Sequence, residues 1–168
     1  SAYLKLADDK PNCFLLESVE GGEVRGRFSV IGLDPDLIWR CRDGRAEINI
    51  TPADDSGFQQ ESLVPLESLR ALMRQSEMPD TGDLPPMAAG LFGYFGYDMI
   101  RLIEAIPNAN QVTVEMDDAL LLRPSLIAIF DRLKDNITLV TQIRPSDWVD
   151  AKPAWDDAQS RLATAIED

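Results

Sequence analysis

The chain has 168 residues, 45% of them hydrophobic and 27% charged, with 10 Gly and 11 Pro; this is the composition of one ordinary globular domain, not of a disordered, collagen-like or disulfide-stapled chain. Acids outnumber bases 29 to 16, a formal charge of −13, and a field of that sign repels phosphate backbones and anionic lipid, which argues against nucleic-acid and membrane-surface roles. Histidine is absent, so His-based acid–base catalysis, Ser-His-Asp and Cys-His machinery and His metal ligation are excluded together.

Residues 1–9 carry apolar Ala2, Leu4, Leu6 and Ala7 and predict a short helix ended by Lys10-Pro11. Residues 13–19 form a short apolar run closed by Gly21-Gly22, which reads as a buried strand and a turn. Residues 27–31 predict a second strand, and Leu33-Asp34-Pro35-Asp36 a turn, because Pro fixes φ and Asp side chains bond nearby amides. Residues 37–42 and 45–50 flank Asp43-Gly44, the strongest hairpin signal in the chain. Residues 51–61 read as a polar loop. Leu66, Leu69, Leu72 and Met73 then recur at helical spacing, predicting a helix over 65–76 with Ser62 as a candidate cap.

A Pro-rich loop follows over 78–86, and residues 88–97 read as a buried strand. Residues 98–106 predict a short helix capped by Asp98 and stopped at Pro107. Two further strands, 119–131 and 137–143, flank an Asp-Asn turn, and 153–166 predicts a C-terminal helix. The expected class is α+β, with mostly antiparallel, sandwich-like sheets and helices packed outside. Cys13 and Cys41 form no Cys-x-x-Cys pair, so zinc and dithiol readings fail and both read as small hydrophobes in a reduced protein. No apolar run approaches the ~18 residues of a membrane span, and the N-terminus lacks a signal pattern. The expected location is the cytoplasm.

Few residues suggest chemistry. Gly90-x-x-Gly93-x-x-Gly96 is neither a dinucleotide fingerprint nor a P-loop, and with Phe92, Tyr94, Phe95 and Tyr97 beside it reads as close packing. The acidic pairs at 54–55, 117–118 and 156–157 read as solvated surface. Leu15-Leu16-Glu17-Ser18 is harder to dismiss, because a carboxylate and a hydroxyl interrupt an apolar strand just before Gly21-Gly22. A carboxylate placed there needs a cation. One reading is a Glu17–Arg27 cross-strand pair at the sheet rim. The other is a site for a zwitterion, with Glu17 for an ammonium, Arg27 for a carboxylate and Ser18 as an adaptable partner.

Three motifs, Leu-Leu-Glu-Ser at 15–18, Arg-Phe-Ser-Val-Ile-Gly at 27–32 and Gly-Leu-Phe-Gly-Tyr-Phe-Gly-Tyr-Asp at 90–98, the last continued by Ile100-Arg101-x-Ile103-Glu104, resemble in order the N-terminal region of anthranilate synthase component I. The aminodeoxychorismate synthase large subunit shares that architecture, but the Leu-Leu-Glu-Ser box and the Ile-Arg-x-Ile-Glu ending favour anthranilate synthase. The resemblance implies one domain over 1–168, belonging to a longer chain that converts chorismate to anthranilate. It implies Mg²⁺ in the full-length enzyme and ammonia from a glutamine amidotransferase subunit, component II. The catalytic and metal residues are then expected in a C-terminal domain, with no catalytic group and no cofactor in this part. By the same resemblance Glu17 and Ser18 match the family's tryptophan-effector pair, and Arg27 joins them at a place where some members carry Lys. The other class left open is a non-enzymatic small-molecule-binding module.

Overall fold

The structure, a computed structural model, describes residues 2–7, 10–17, 26–52, 55–78, 82–107, 115–144 and 150–167. Its elements in chain order are α1 (Ala2–Ala7), β1 (Phe14–Glu17), β2 (Phe28–Arg42), β3 (Arg45–Asn49), β4 (Gln59–Gln60), α2 (Pro65–Ser76), β5 (Phe92–Phe95), β6 (Ala119–Asp131), β7 (Asn136–Thr141) and α3 (Ala151–Glu167). Short 3₁₀ turns occupy Asp55–Gly57 and Tyr97–Leu102. The strands follow the order β4-β3-β2-β6-β5, with β1 also on β2 and β7 also on β6. The β1–β2, β2–β3, β3–β4, β5–β6 and β6–β7 ladders are all antiparallel, so the chain is α+β as its alternation of strands and helices implies.

The residues divide into two compact units, one of 1–35, 78–89 and 124–168, the other of 36–77 and 90–123. The division falls inside the two long strands, between Pro35 and Asp36 of β2 and between Arg123 and Pro124 of β6. In the first unit, Leu6 and Ala7 of α1 join Ile31 and Leu33 of β2 and Leu126 and Ala128 of β6 in a buried cluster. Leu139 of β7 packs against it, as do Leu162 and Ala165 of α3. Each fully buried leucine or isoleucine contributes about 1.5–3 kcal/mol relative to exposure.

The second unit is built on the β2–β3 hairpin. Asp43 and Gly44 both take left-handed φ, 50° and 69°, as a two-residue turn of the favoured twist requires. Arg42 thereby faces Arg45, and Cys41 faces Ala46. Trp39, Cys41 and Ala46 pack with Leu69 and Leu72 of α2 and with Met99. The fully buried Trp39 donates its indole N–H to Ser68 Oγ at 3.0 Å, so the polar edge of the ring is satisfied.

Four expectations change. The 33–36 turn does not form: β2 runs through it, and Asp34 accommodates Pro35 by taking φ 47° without leaving the strand. The buried strand at 88–97 shrinks to β5, in which Gly93, Tyr94 and Phe95 are exposed. Here Gly93 crosses β6 so closely that a Cβ would lie 1.9 Å from the Leu120 carbonyl oxygen. Neither expected cap operates: Val64 precedes α2 without a side-chain bond, and Gly96 precedes the 97–102 turn while Asp98 binds Arg101 at 2.8 Å. Lastly β1 is not buried. Leu15, Leu16 and Glu17 are exposed, because β1 is four residues long and pairs with β2 alone.

Candidate functional site

The interrupted apolar strand places Glu17 at the end of β1, opposite Ser29 of β2, while Leu15 faces Ile31 two positions earlier. Side chains alternate across a strand, so Leu15 and Glu17 share one face with Ser29 and Ile31. Glu17 finds its cation, but the cation is not Arg27. Arg132 Nη2 donates to Glu17 Oε1 at 2.8 Å and reaches Ser29 Oγ at 3.4 Å. The pair is half in water, with 48% of the Arg132 side chain and 56% of the Glu17 side chain exposed.

Arg27 is committed elsewhere. Its Nε donates to Asp131 Oδ1 at 2.8 Å and its Nη2 to Asp131 Oδ2 at 2.6 Å, a two-pronged pair, and its guanidinium carbon lies 4.8 Å from the centre of the Phe28 ring. The Asp131 side chain is only 5% exposed. Its Oδ1 also accepts the amides of Leu133 at 3.0 Å and Lys134 at 3.2 Å, which folds the turn between β6 and β7. Hydrogen bonding to Arg27 is the chief cause that holds the Asp131 carboxyl at about 2, against an ordinary 3.8; burial opposes it and the loop amides add to it. The same bond raises the Arg27 guanidinium. Arg132 follows Asp131 directly, and its amide donates to the Arg27 carbonyl at 3.0 Å.

The cross-strand Glu17–Arg27 pair therefore does not form. Two separate pairs stand at this rim, Arg27–Asp131 and Arg132–Glu17, tied by the Arg132 amide. Ser18 lies outside the described residues. Sequence reasoning missed Arg132 and Asp131. An acid and a base closing the apolar run of β6 were visible at 131–132, but their partners lie 104 and 115 positions away, and no spacing rule reaches that far.

Several other charged side chains pair within the fold. In the second unit Arg123 holds both oxygens of Asp36 at 2.7 and 3.1 Å, and Arg42 binds Asp117 at 2.5 Å. Arg40 binds Glu47 at 2.6 Å and lies over the Phe58 ring. In the first unit Asp156 and Asp157 bind Lys152 and Arg161 of their own helix. Two clefts of about 330 and 140 Å³ lie along α3, and neither is lined by Glu17 or Arg27. Among the described residues no group of three or more Cys, Asp or Glu gathers to hold a metal ion, and no described helix is long and apolar enough to cross a membrane.

Anthranilate synthase component 1 of Cereibacter sphaeroides is 46% identical over 100% of the chain, which spans 34% of that protein. The same-named proteins of Thermus thermophilus and Pseudomonas aeruginosa are 35% and 34% identical over 96% and 99% of the chain, each spanned to 33%. The chain is homologous to the N-terminal third of anthranilate synthase component I. It spans about a third of the length of the curated relatives it matches. No family model matches it. A crystal structure of anthranilate synthase component I from Streptococcus pneumoniae TIGR4 superposes with a TM-score of 0.68, covering 99% of the chain and 33% of that protein, at 22% identity. That likeness bears on the fold, and it agrees with the α+β architecture. The described residues of the three motifs that resemble anthranilate synthase component I lie on β1, on the start of β2 and just before it, and on β5 with the residues flanking it.

Proposed function

We propose that this chain is the N-terminal regulatory part of an anthranilate synthase component I, and that it supplies one half of a tryptophan feedback site. The reaction of the whole enzyme, chorismate with ammonia or glutamine giving anthranilate and pyruvate, then belongs to a C-terminal catalytic domain working with a glutamine amidotransferase subunit in the cytoplasm. Mg²⁺ is assigned to that domain as well. The isolated part is expected to be inactive.

The observation that carries this reading is 46% identity across the whole chain to a protein three-fold longer, with Glu17 standing in the Leu-Leu-Glu-Ser box. The exposed carboxylate at the end of β1, beside a guanidinium and a hydroxyl, supports it. An amino-acid effector is a zwitterion and needs an acid and a base side by side. Feedback follows if tryptophan binds one arrangement of regulatory and catalytic domains better than another, because an effector shifts an equilibrium only by its differential affinity. The test is the ratio of anthranilate-forming rates with and without tryptophan, measured on one sample of full-length enzyme. Ser18→Phe, in the Leu-Leu-Glu-Ser box, is expected to bring that ratio to one; inhibition equal to that of the unsubstituted enzyme would overturn the site assignment.

A further inference from the structure

The cleft of about 140 Å³ beside α3 lies wholly within the first unit, and none of the β1-rim residues lines it. Its lining divides by chemistry. Leu6, Leu33 and Leu126, all buried, give it apolar walls. Ser160, Arg161 and Thr164 give it hydrogen-bond donors, and their spacing along α3 makes them neighbours on one face of that helix. Lys10 and Asp34 complete the lining as a loose pair, 3.4 Å apart with both side chains nearly half exposed. Arg161 turns Nη2 to Asp157 Oδ2 at 3.0 Å, but its Nε is buried and meets no hydrogen-bond partner among the described residues. No other described side-chain nitrogen or oxygen is buried in this way. A donor that has given up water and gained no acceptor costs free energy, and an acceptor brought into the cleft recovers it.

We propose that this cleft is a second binding site, separate from the effector reading above, and that it takes a small aliphatic monocarboxylate. Arg161 Nε and the Ser160 and Thr164 hydroxyls donate to the carboxylate, and the aliphatic end rests against Leu6, Leu33 and Leu126. At about 30 Å³ for each water-sized group, the cleft holds about five non-hydrogen atoms, the size of propionate. Its charge favours a single negative charge over two. Lys10 and Arg161 each already face an aspartate, Asp34 and Asp157, in a chain of formal charge −13. A dianion such as phosphate is repelled there more strongly than a carboxylate, and it gains nothing from the apolar walls.

The experiment titrates propionate, propionamide and inorganic phosphate into the 168-residue chain at constant ionic strength. Saturation-transfer NMR follows the methyl signals of the two organic probes, and competition against propionate reads phosphate. A cooperative urea transition first establishes that each sample is folded. Propionate is expected to bind saturably, and roughly tenfold or more tightly than propionamide, the scale of one charge-assisted hydrogen bond. Phosphate is expected to compete more weakly than propionate itself. Arg161→Gln is expected to weaken propionate about tenfold, while Asp157→Asn, which opens the outer pair and keeps Nε, is expected to bind at least as tightly. A folded chain that shows no saturable propionate signal overturns the proposal, as does propionamide binding equally well or phosphate binding more tightly. Those outcomes need no substituted chain. Unchanged binding in Arg161→Gln also overturns it, and so does an equal loss in Asp157→Asn, which would make the helix pair alone responsible.

Discussion

Arg27 and Asp131 are joined by two parallel hydrogen bonds, 2.8 and 2.6 Å long, across 104 residues of sequence. The pair ties the residue just before β2 to the last residue of β6 within one compact unit, and it fixes the turn that carries Arg132.

The pair makes stability depend on acid. The Asp131 carboxyl lies at about 2 in the folded chain and near its ordinary 3.8 when unfolded. Between those values the unfolded chain binds more protons, so the contribution is fully present above the unfolded value and is lost as pH falls through the folded one. Urea midpoints of the unsubstituted chain and of Asp131→Asn are expected to differ most near pH 6, with the gap narrowing by pH 3. A gap of constant size, or one that widens in acid, would contradict the assignment.

Two glycines separate space from conformation. A Cβ at Gly93 would meet the Leu120 carbonyl oxygen at 1.9 Å, so Gly93→Ala must push β5 off β6. Gly44 has open space around it, but its φ is +69°. Gly44→Ala is expected to cost about 1 kcal/mol of stability, the usual penalty for a left-handed side chain. Gly93→Ala is expected to cost about 2–3 kcal/mol, as overpacking does. Denaturant midpoints measure both, and an equal loss at the two positions would refute the distinction.

The two thiols differ in reach. Cys41 is fully buried, and burial, reinforced by nearby Asp118, pushes its pKa up to about 11, so almost no thiolate exists near neutrality. Cys13 is half-buried beside the Tyr3 hydroxyl at 3.3 Å. Alkylation of the folded chain at pH 8 is expected to label Cys13 first and to leave Cys41 unmodified until denaturant is added. Mass spectrometry showing Cys41 labelled as fast as Cys13 would count against the core packing.

The sequence patterns that proved legible were local. Asp43-Gly44 announced its hairpin because the turn needs two left-handed residues, and α2 was marked by leucines on one face with Pro65 at its start. Pro35 misled because a strand can carry a proline where a neighbour, here Asp34, takes up the strain. β1 misleads because apolar letters do not by themselves give burial: exposure depends on which other strands pair with it. At the candidate site the need for a cation on Glu17 was legible from charge and context. The identity of that cation was not, because two arginines compete and the sheet's long-range pairing decides between them.

The central claim is that this part of the molecule senses the amino acid made downstream of its enzyme. The direct measurement is the initial rate of anthranilate formation by the full-length enzyme as tryptophan is titrated. A saturable fall in rate that Glu17→Gln abolishes is the expected result. A rate that tryptophan leaves unchanged, or a fall of the same size in the Glu17→Gln enzyme, would contradict it.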